Sequence, residues 1–144
     1  MENKSKENNM TLEFDAKSEN ESLARIAVAS FLTEIDPTIE EINDIKTAVS
    51  EAVTNSIIHG YDNKIGVIHI ECTLFANSIE IIITDDGKGI ENIEKAKEPL
   101  YTTKPELERS GMGFTIMENF MDELKIESAL GEGTKITMKK VINN

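Results

Sequence analysis

The chain is short of several things that would narrow its class. It has one cysteine, Cys72, so it cannot form an internal disulfide, and with no CxxC partner that thiol is expected to be a small inert core residue in a reducing cytoplasm. No apolar run approaches the length of a membrane span, and the N-terminus lacks a secretory pattern, so no membrane role is expected. There is no GxxxxGK[ST], which excludes a P-loop, and no regular strand-helix alternation of the doubly wound kind. Positive charge is scarce: 15 Lys and Arg stand against 27 Asp and Glu, for a net charge of −12. That average field repels polyanions, so no nucleic-acid partner is expected. A small anionic ligand is still possible where donors gather. The window from Lys97 to Arg109 sets Lys97, Lys104 and Arg109 against Glu98, Glu106 and Glu108 and is locally neutral.

The 144 residues are enough for one domain with a substantial core. Residues 1–9, "MENKSKENN", are polar and expected to be a disordered tail, leaving a single domain over 10–142. "MTLEFDA" alternates and predicts a first strand. Ser18 with Glu21 fits a capping box for a helix to about Leu32. Asp36-Pro37 predicts an N-cap followed by proline at the first helical position, with the second helix running to His59 and stopping at Gly60. Ile68, Ile70, Cys72 and Leu74, then Ile79, Ile81 and Ile83, alternate as a hairpin with one apolar face. Leu124 and Ile126, then Ile136 and Met138, predict a second hairpin around "GEG". Between them lie a short helix near Ile93 and another over about 114–121. The order β-α-α-β-β-α-α-β-β predicts an α/β (α+β) two-layer sandwich, with a mixed, mostly antiparallel sheet and helices on one face.

Two local features suggest a site. In "SEAVTNSIIHG", Ala52, Val53 and Ile57 form an apolar stripe, while Glu51, Asn55 and His59 fall at i, i+4 and i+8 along a neighbouring edge. Six of the eight glycines form G-x-G pairs: Gly87/Gly89, Gly111/Gly113 and Gly131/Gly133. A single pair is often only a turn, and Gly131/Gly133 sits in a hairpin. Gly87/Gly89 follows a strand and an acid, and Gly111/Gly113 opens a helix, where free N–H groups and the dipole attract phosphate.

Taken in order, "SEAVTNSIIHG", "DDGKGI" and "ERSGMGF" resemble the three ATP-binding boxes of the GHKL (Bergerat-fold) superfamily, which includes histidine kinases and gyrase-type topoisomerases. With "SENESLAR" and "PLYTTKPELERSGMGFTIMENFMD", the chain is similar to that superfamily's anti-sigma serine kinases of endospore-forming bacteria. The resemblance spans nearly everything after residue 10. It implies ATP and Mg2+ as cofactors. Glu51 would be the general base, Asn55 the magnesium ligand, and Asp85 the acceptor for the adenine amino group. Gly87 and Gly89 would let the base approach. A short lid would bring Thr103, Lys104, Arg109, Ser110, Gly111, Met112 and Gly113 to the phosphates, with Thr134 near the adenine. His59 either lines the site or caps the helix C-terminus. Met112, Met117 and Met121 are core or adenine-pocket filler.

The implied activity is phosphorylation of a serine on an anti-anti-sigma antagonist, together with ATP-dependent binding and inhibition of a sporulation sigma factor of the sigma F type. Arg25 is the candidate partner contact, and a homodimer through the first strand's edge is implied. The alternatives are an anti-sigma kinase of the general stress response and an ATP-gated binding module without transfer activity. A histidine-kinase catalytic domain is a further rival, but no segment here is left over for its phosphoacceptor helix.

Overall fold

A computed structural model of the protein describes residues 6–62, 64–98 and 113–142. In chain order these form β1 (Asn8–Asp15), α1 (Glu19–Leu32), a 3₁₀ turn (Thr33–Ile35), α2 (Ile39–Asn55) and a π-helical turn (Ser56–Gly60). There follow β2 (Val67–Leu74), β3 (Ser78–Asp85), α3 (Ile93–Ala96), α4 (Gly113–Phe120), β4 (Glu123–Ser128) and β5 (Thr134–Val141). The strands make one five-stranded sheet in the order β1-β2-β3-β5-β4, and all four pairings are antiparallel.

The strands alternate as the sequence predicts. Ile68, Ile70, Cys72 and Leu74 on β2, Ile79, Ile81 and Ile83 on β3, and Ile136 and Met138 on β5 are all buried. α2 packs against both α1 and α4. Its buried residues Ile45, Ala48, Val49, Ala52 and Val53 repeat at three and four residues, so one stripe faces inward. α1 buries Ala24, Val28 and Leu32 at intervals of four, and α4 buries Phe114 and Met117. Among the described residues no helix is long and apolar enough to cross a membrane.

Four boundary expectations differ from the structure. β1 starts at Asn8, inside the expected tail, because Asn9 Nδ2 donates to Thr73 Oγ1 at 2.9 Å and the Glu7 N–H donates to the Leu74 carbonyl. Ser18 makes no side-chain cap; Glu21 is drawn away from it to accept from Arg25 Nε at 3.0 Å and from Ser50 Oγ. Asp36-Pro37 does not start α2. Asp36 is left-handed at φ 61 and closes the 3₁₀ turn, while Thr38 is the cap. Thr38 Oγ1 accepts from the Glu41 N–H at 3.1 Å, and Glu41 Oε1 accepts from the Thr38 N–H at 2.8 Å, a complete capping box. Gly60 is not a left-handed stop. The helix widens into the π-helical turn, closed by the Tyr61 N–H on the Ser56 carbonyl at 2.9 Å.

Candidate active site

The inward alternation of β3 through Ile79, Ile81 and Ile83 continues to Asp85, which is 2 % exposed. Strand register places Asp85 opposite Thr134, and Thr134 opposite Ser128. The apolar face therefore ends in a polar row across three adjacent strands. Thr134 Oγ1 and Ser128 Oγ lie 2.9 Å apart, and Ser128 Oγ donates to the Gly133 carbonyl at 2.7 Å.

A carboxyl at the edge of a hydrophobic core needs donors. Ser56 Oγ donates to Asp85 Oδ2 at 2.7 Å, and the Gly87 N–H donates to Oδ1 at 2.9 Å. Burial nevertheless holds this carboxyl above its ordinary value. The donors from Ser56, Gly87 and Thr134 pull it back down, and the neighbouring Asp86 charge adds to the rise.

The second wall is the end of α2. Ala52 and Val53 are buried, whereas Glu51 and Asn55, one turn apart, are half-buried on the adjoining edge. His59 follows in the π-helical turn, also half-buried. Ser56, the next residue after Asn55, turns inward at 1 % exposure and reaches Asp85. One helix end thus presents a carboxylate and an amide on its edge and grips the strand-end acid from its buried face.

Close backbone packing seats the loop after β3. A Cβ on Gly87 would lie 2.2 Å from the Gly60 carbonyl oxygen, and one on Gly60 would lie 3.1 Å from both Asp85 carboxyl oxygens. Gly89 is left-handed at φ 79, and a Cβ there would meet the Ala129 carbonyl at 2.0 Å. Tyr61 ties the same loop to β2: its hydroxyl accepts from the Asp86 N–H and donates to the Val67 carbonyl, both at 2.7 Å. A depression of about 310 Å³ opens at this end of the sheet. Its walls include Asp86, Glu127 and Glu132 with Lys135, and that excess of acid disfavours a polyphosphate.

The fold brings Glu51, Asn55, Asp85, Gly87, Gly89 and Thr134 to this one end, and Gly113 is the first residue of α4. Thr103, Lys104, Arg109, Ser110, Gly111 and Met112 lie outside the described residues. Arg25 lies on α1, where its guanidinium donates to Glu21 at 3.0 Å and to Ser22 Oγ at 3.2 Å. Met117 and Met121 are buried core. Sequence reasoning missed Ser56, Tyr61 and Ser128. Ser56 had a readable signal, since it is a hydroxyl continuing the apolar stripe of Ala52, Val53 and Ile57, where a polar group needs an internal partner. Among the described residues no three His, Cys, Asp or Glu side chains gather as a metal cluster.

A sheet that ends in a buried, donor-fixed acceptor can read a base, and a helix edge with amide and carboxylate can face phosphate. The family model of the histidine kinase-like ATPase domain matches residues 14–140, and the chain carries that domain. The anti-sigma F factor of Clostridium acetobutylicum is 65 % identical over 134 residues, covering 93 % of this chain and 94 % of the relative. That of Clostridium kluyveri is 58 % identical over 138 residues, covering 96 % and 97 %, and that of Priestia megaterium is 59 % identical over 139 residues, covering 95 % of each. The chain belongs to the anti-sigma F factor family. The crystal structure of the RsbU and RsbW domains of a Mycobacterium tuberculosis protein shares the fold, with a TM-score of 0.67 at 20 % identity over 94 % of this chain and 32 % of that one.

Proposed function

We propose that this chain is an ATP-dependent serine protein kinase that also binds and inhibits a sporulation sigma factor. The observation that carries the reading is the pairing of the Glu51–Asn55 edge with the buried Asp85 at one end of the fold. Asp85 accepts the adenine 6-amino hydrogen. Guanine carries a carbonyl at that place and would set acceptor against acceptor, so ATP is selected over GTP.

Asn55 offers a side-chain oxygen, and magnesium takes few protein ligands because phosphate oxygens and waters complete its octahedron, so the donor set fits. Bound there, the ion would neutralise charge on the phosphates. Glu51 takes the proton from the acceptor serine hydroxyl. That oxygen forms the new bond to the γ-phosphorus, the bond from phosphorus to the β–γ bridging oxygen breaks, and ADP leaves with the electron pair. One turn of α2 separates the base from the metal ligand by about 6 Å, which suits a nucleophile beside the γ-phosphate. Lys104, Arg109 and the N–H groups of 110–113 bind phosphate oxygens, with Arg109 suited by its planar fork.

The relatives' name supports a sigma F type partner over a stress sigma factor. The phosphate acceptor is a serine of the anti-anti-sigma antagonist, whose phosphorylation inactivates it and preserves the inhibited complex. Arg25 on α1 is the partner contact, and β1, an edge strand, pairs two protomers. The test is transfer of label from γ-labelled ATP to the antagonist, with and without magnesium, alongside sigma capture with and without ATP. Magnesium-dependent seryl label and ATP-dependent capture support the reading. Capture without transfer to any serine would make the chain an ATP-gated binding module.

A further inference from the structure

The geometry points to Ser56 as the residue that makes Asp85 selective for adenine, by fixing which way the carboxylate faces. This rests on the reading that Asp85 accepts the adenine amino group.

Position 56 belongs by spacing to the buried stripe of the helix, after Ala52 and Val53 and beside Ile57. Alanine is smaller than serine and would fit there, so space alone does not call for a hydroxyl. The hydroxyl is buried at 1 % exposure and is satisfied by one carboxyl, donating to Asp85 Oδ2 at 2.7 Å. Oδ1 is held independently by the Gly87 N–H at 2.9 Å. Ser56 and Gly87, on different oxygens and from different elements, stop rotation about the Cβ–Cγ bond, with the Thr134 N–H as a further donor to the same carboxyl. They leave the remaining lone pairs aimed in a fixed direction.

Local backbone geometry brings Ser56 to this partner. The π-helical turn opens at Ser56, whose carbonyl takes the Tyr61 N–H at 2.9 Å. Wide turns of this kind re-aim side chains within a helix and recur at functional sites. Glycine at 60 completes the fit, because a Cβ there would press on both carboxyl oxygens at 3.1 Å. Ser56 is therefore a positioning residue. It touches no reacting atom and acts through Asp85. It also follows Asn55 directly, so the element that faces the triphosphate also sets the base reader. A hydrogen bond to the charged form favours that form, so the same hydroxyl helps keep Asp85 ionised against the pull of burial.

The experiment compares binding of Mg-ATP with that of purine riboside triphosphate, which lacks the 6-amino group, in the wild type and in Ser56→Ala. The wild type should prefer ATP. Equal binding of the two would overturn the adenine reading of Asp85 itself, and this inference with it. In Ser56→Ala, ATP affinity should fall about 10-fold while the analogue stays within about twofold, the loss expected for one hydrogen bond to a charged group. The acid-side midpoint of ATP binding should also move to higher pH, since Asp85 has lost a donor. If both nucleotides weaken together, or neither does, with the midpoint unmoved, Ser56 is merely structural and the inference fails. Ser56→Cys keeps a buried group of similar size with a weaker donor and reads the same ratio should the alanine variant melt early.

Discussion

Gly87 lies so close to Gly60 that a Cβ on Gly87 would sit 2.2 Å from the Gly60 carbonyl oxygen, the same oxygen that accepts the Lys88 N–H at 2.9 Å. The loop after β3 is thus docked onto the helix end backbone to backbone. Gly87→Ala forces main chain apart rather than moving a flexible side chain. It should destabilise the fold by about 1–3 kcal/mol and weaken ATP binding. Thermal unfolding and nucleotide titration check both, and a wild-type value in each would contradict the docking.

The third glycine pair separates conformation from contact. Gly131 and Gly133 are both left-handed, at φ 83 and φ 76, yet a Cβ on Gly131 meets nothing within 4 Å while one on Gly133 lies 2.2 Å from the Asp85 carbonyl oxygen. Gly131→Ala should cost about 1–2 kcal/mol, the left-handed penalty alone, with ATP affinity unchanged. Gly133→Ala should cost more and lower ATP affinity, because it displaces the strand end that carries Asp85. Equal effects in the two variants would count against this assignment.

Burial holds Asp85 above its ordinary 3.8, so the native protein keeps a proton that the unfolded chain has already released. The corresponding stability is fully present below 3.8 and is lost as pH rises through the raised native value. Asp85→Asn does not titrate. Denaturant unfolding without nucleotide should therefore show the wild type losing ground to Asp85→Asn as pH is raised through this acid range. A pH-independent difference would contradict it.

Cys72 is fully buried, and burial, with the Glu71 charge, pushes its thiol up to about 12. A thiol reagent at pH 8 should leave the native protein unlabelled and modify Cys72 promptly in denaturant. Fast labelling of native protein would place Cys72 outside the core.

The strand pattern was legible because its period is two and the inner face of β2 and β3 is Ile, Leu and Cys up to Asp85. Carrying that period from Ile79 to Asp85 already places the acid inward. The helix starts were not. Both "SENE" and "TIEE" offer a hydroxyl three residues before a glutamate, and only the second forms a box. Glu21 is claimed instead by Ser50 on α2, a contact 29 residues away that local spacing cannot reveal. Gly60 read as a helix stop, but its role is close approach to Asp85 and Gly87, set by how α2 meets β3. The Glu51–Asn55 edge was visible from i, i+4 spacing; its joining to Asp85 through Ser56 required the fold.

In the proposed mechanism Glu51 takes the proton of the attacking serine at a site that binds ATP without it. Side-by-side measurement of Mg-ATP affinity and phosphoryl transfer in Glu51→Gln tests this most directly. Affinity should match the wild type while transfer falls about 10²–10⁴-fold. Transfer at the wild-type rate would contradict the claim.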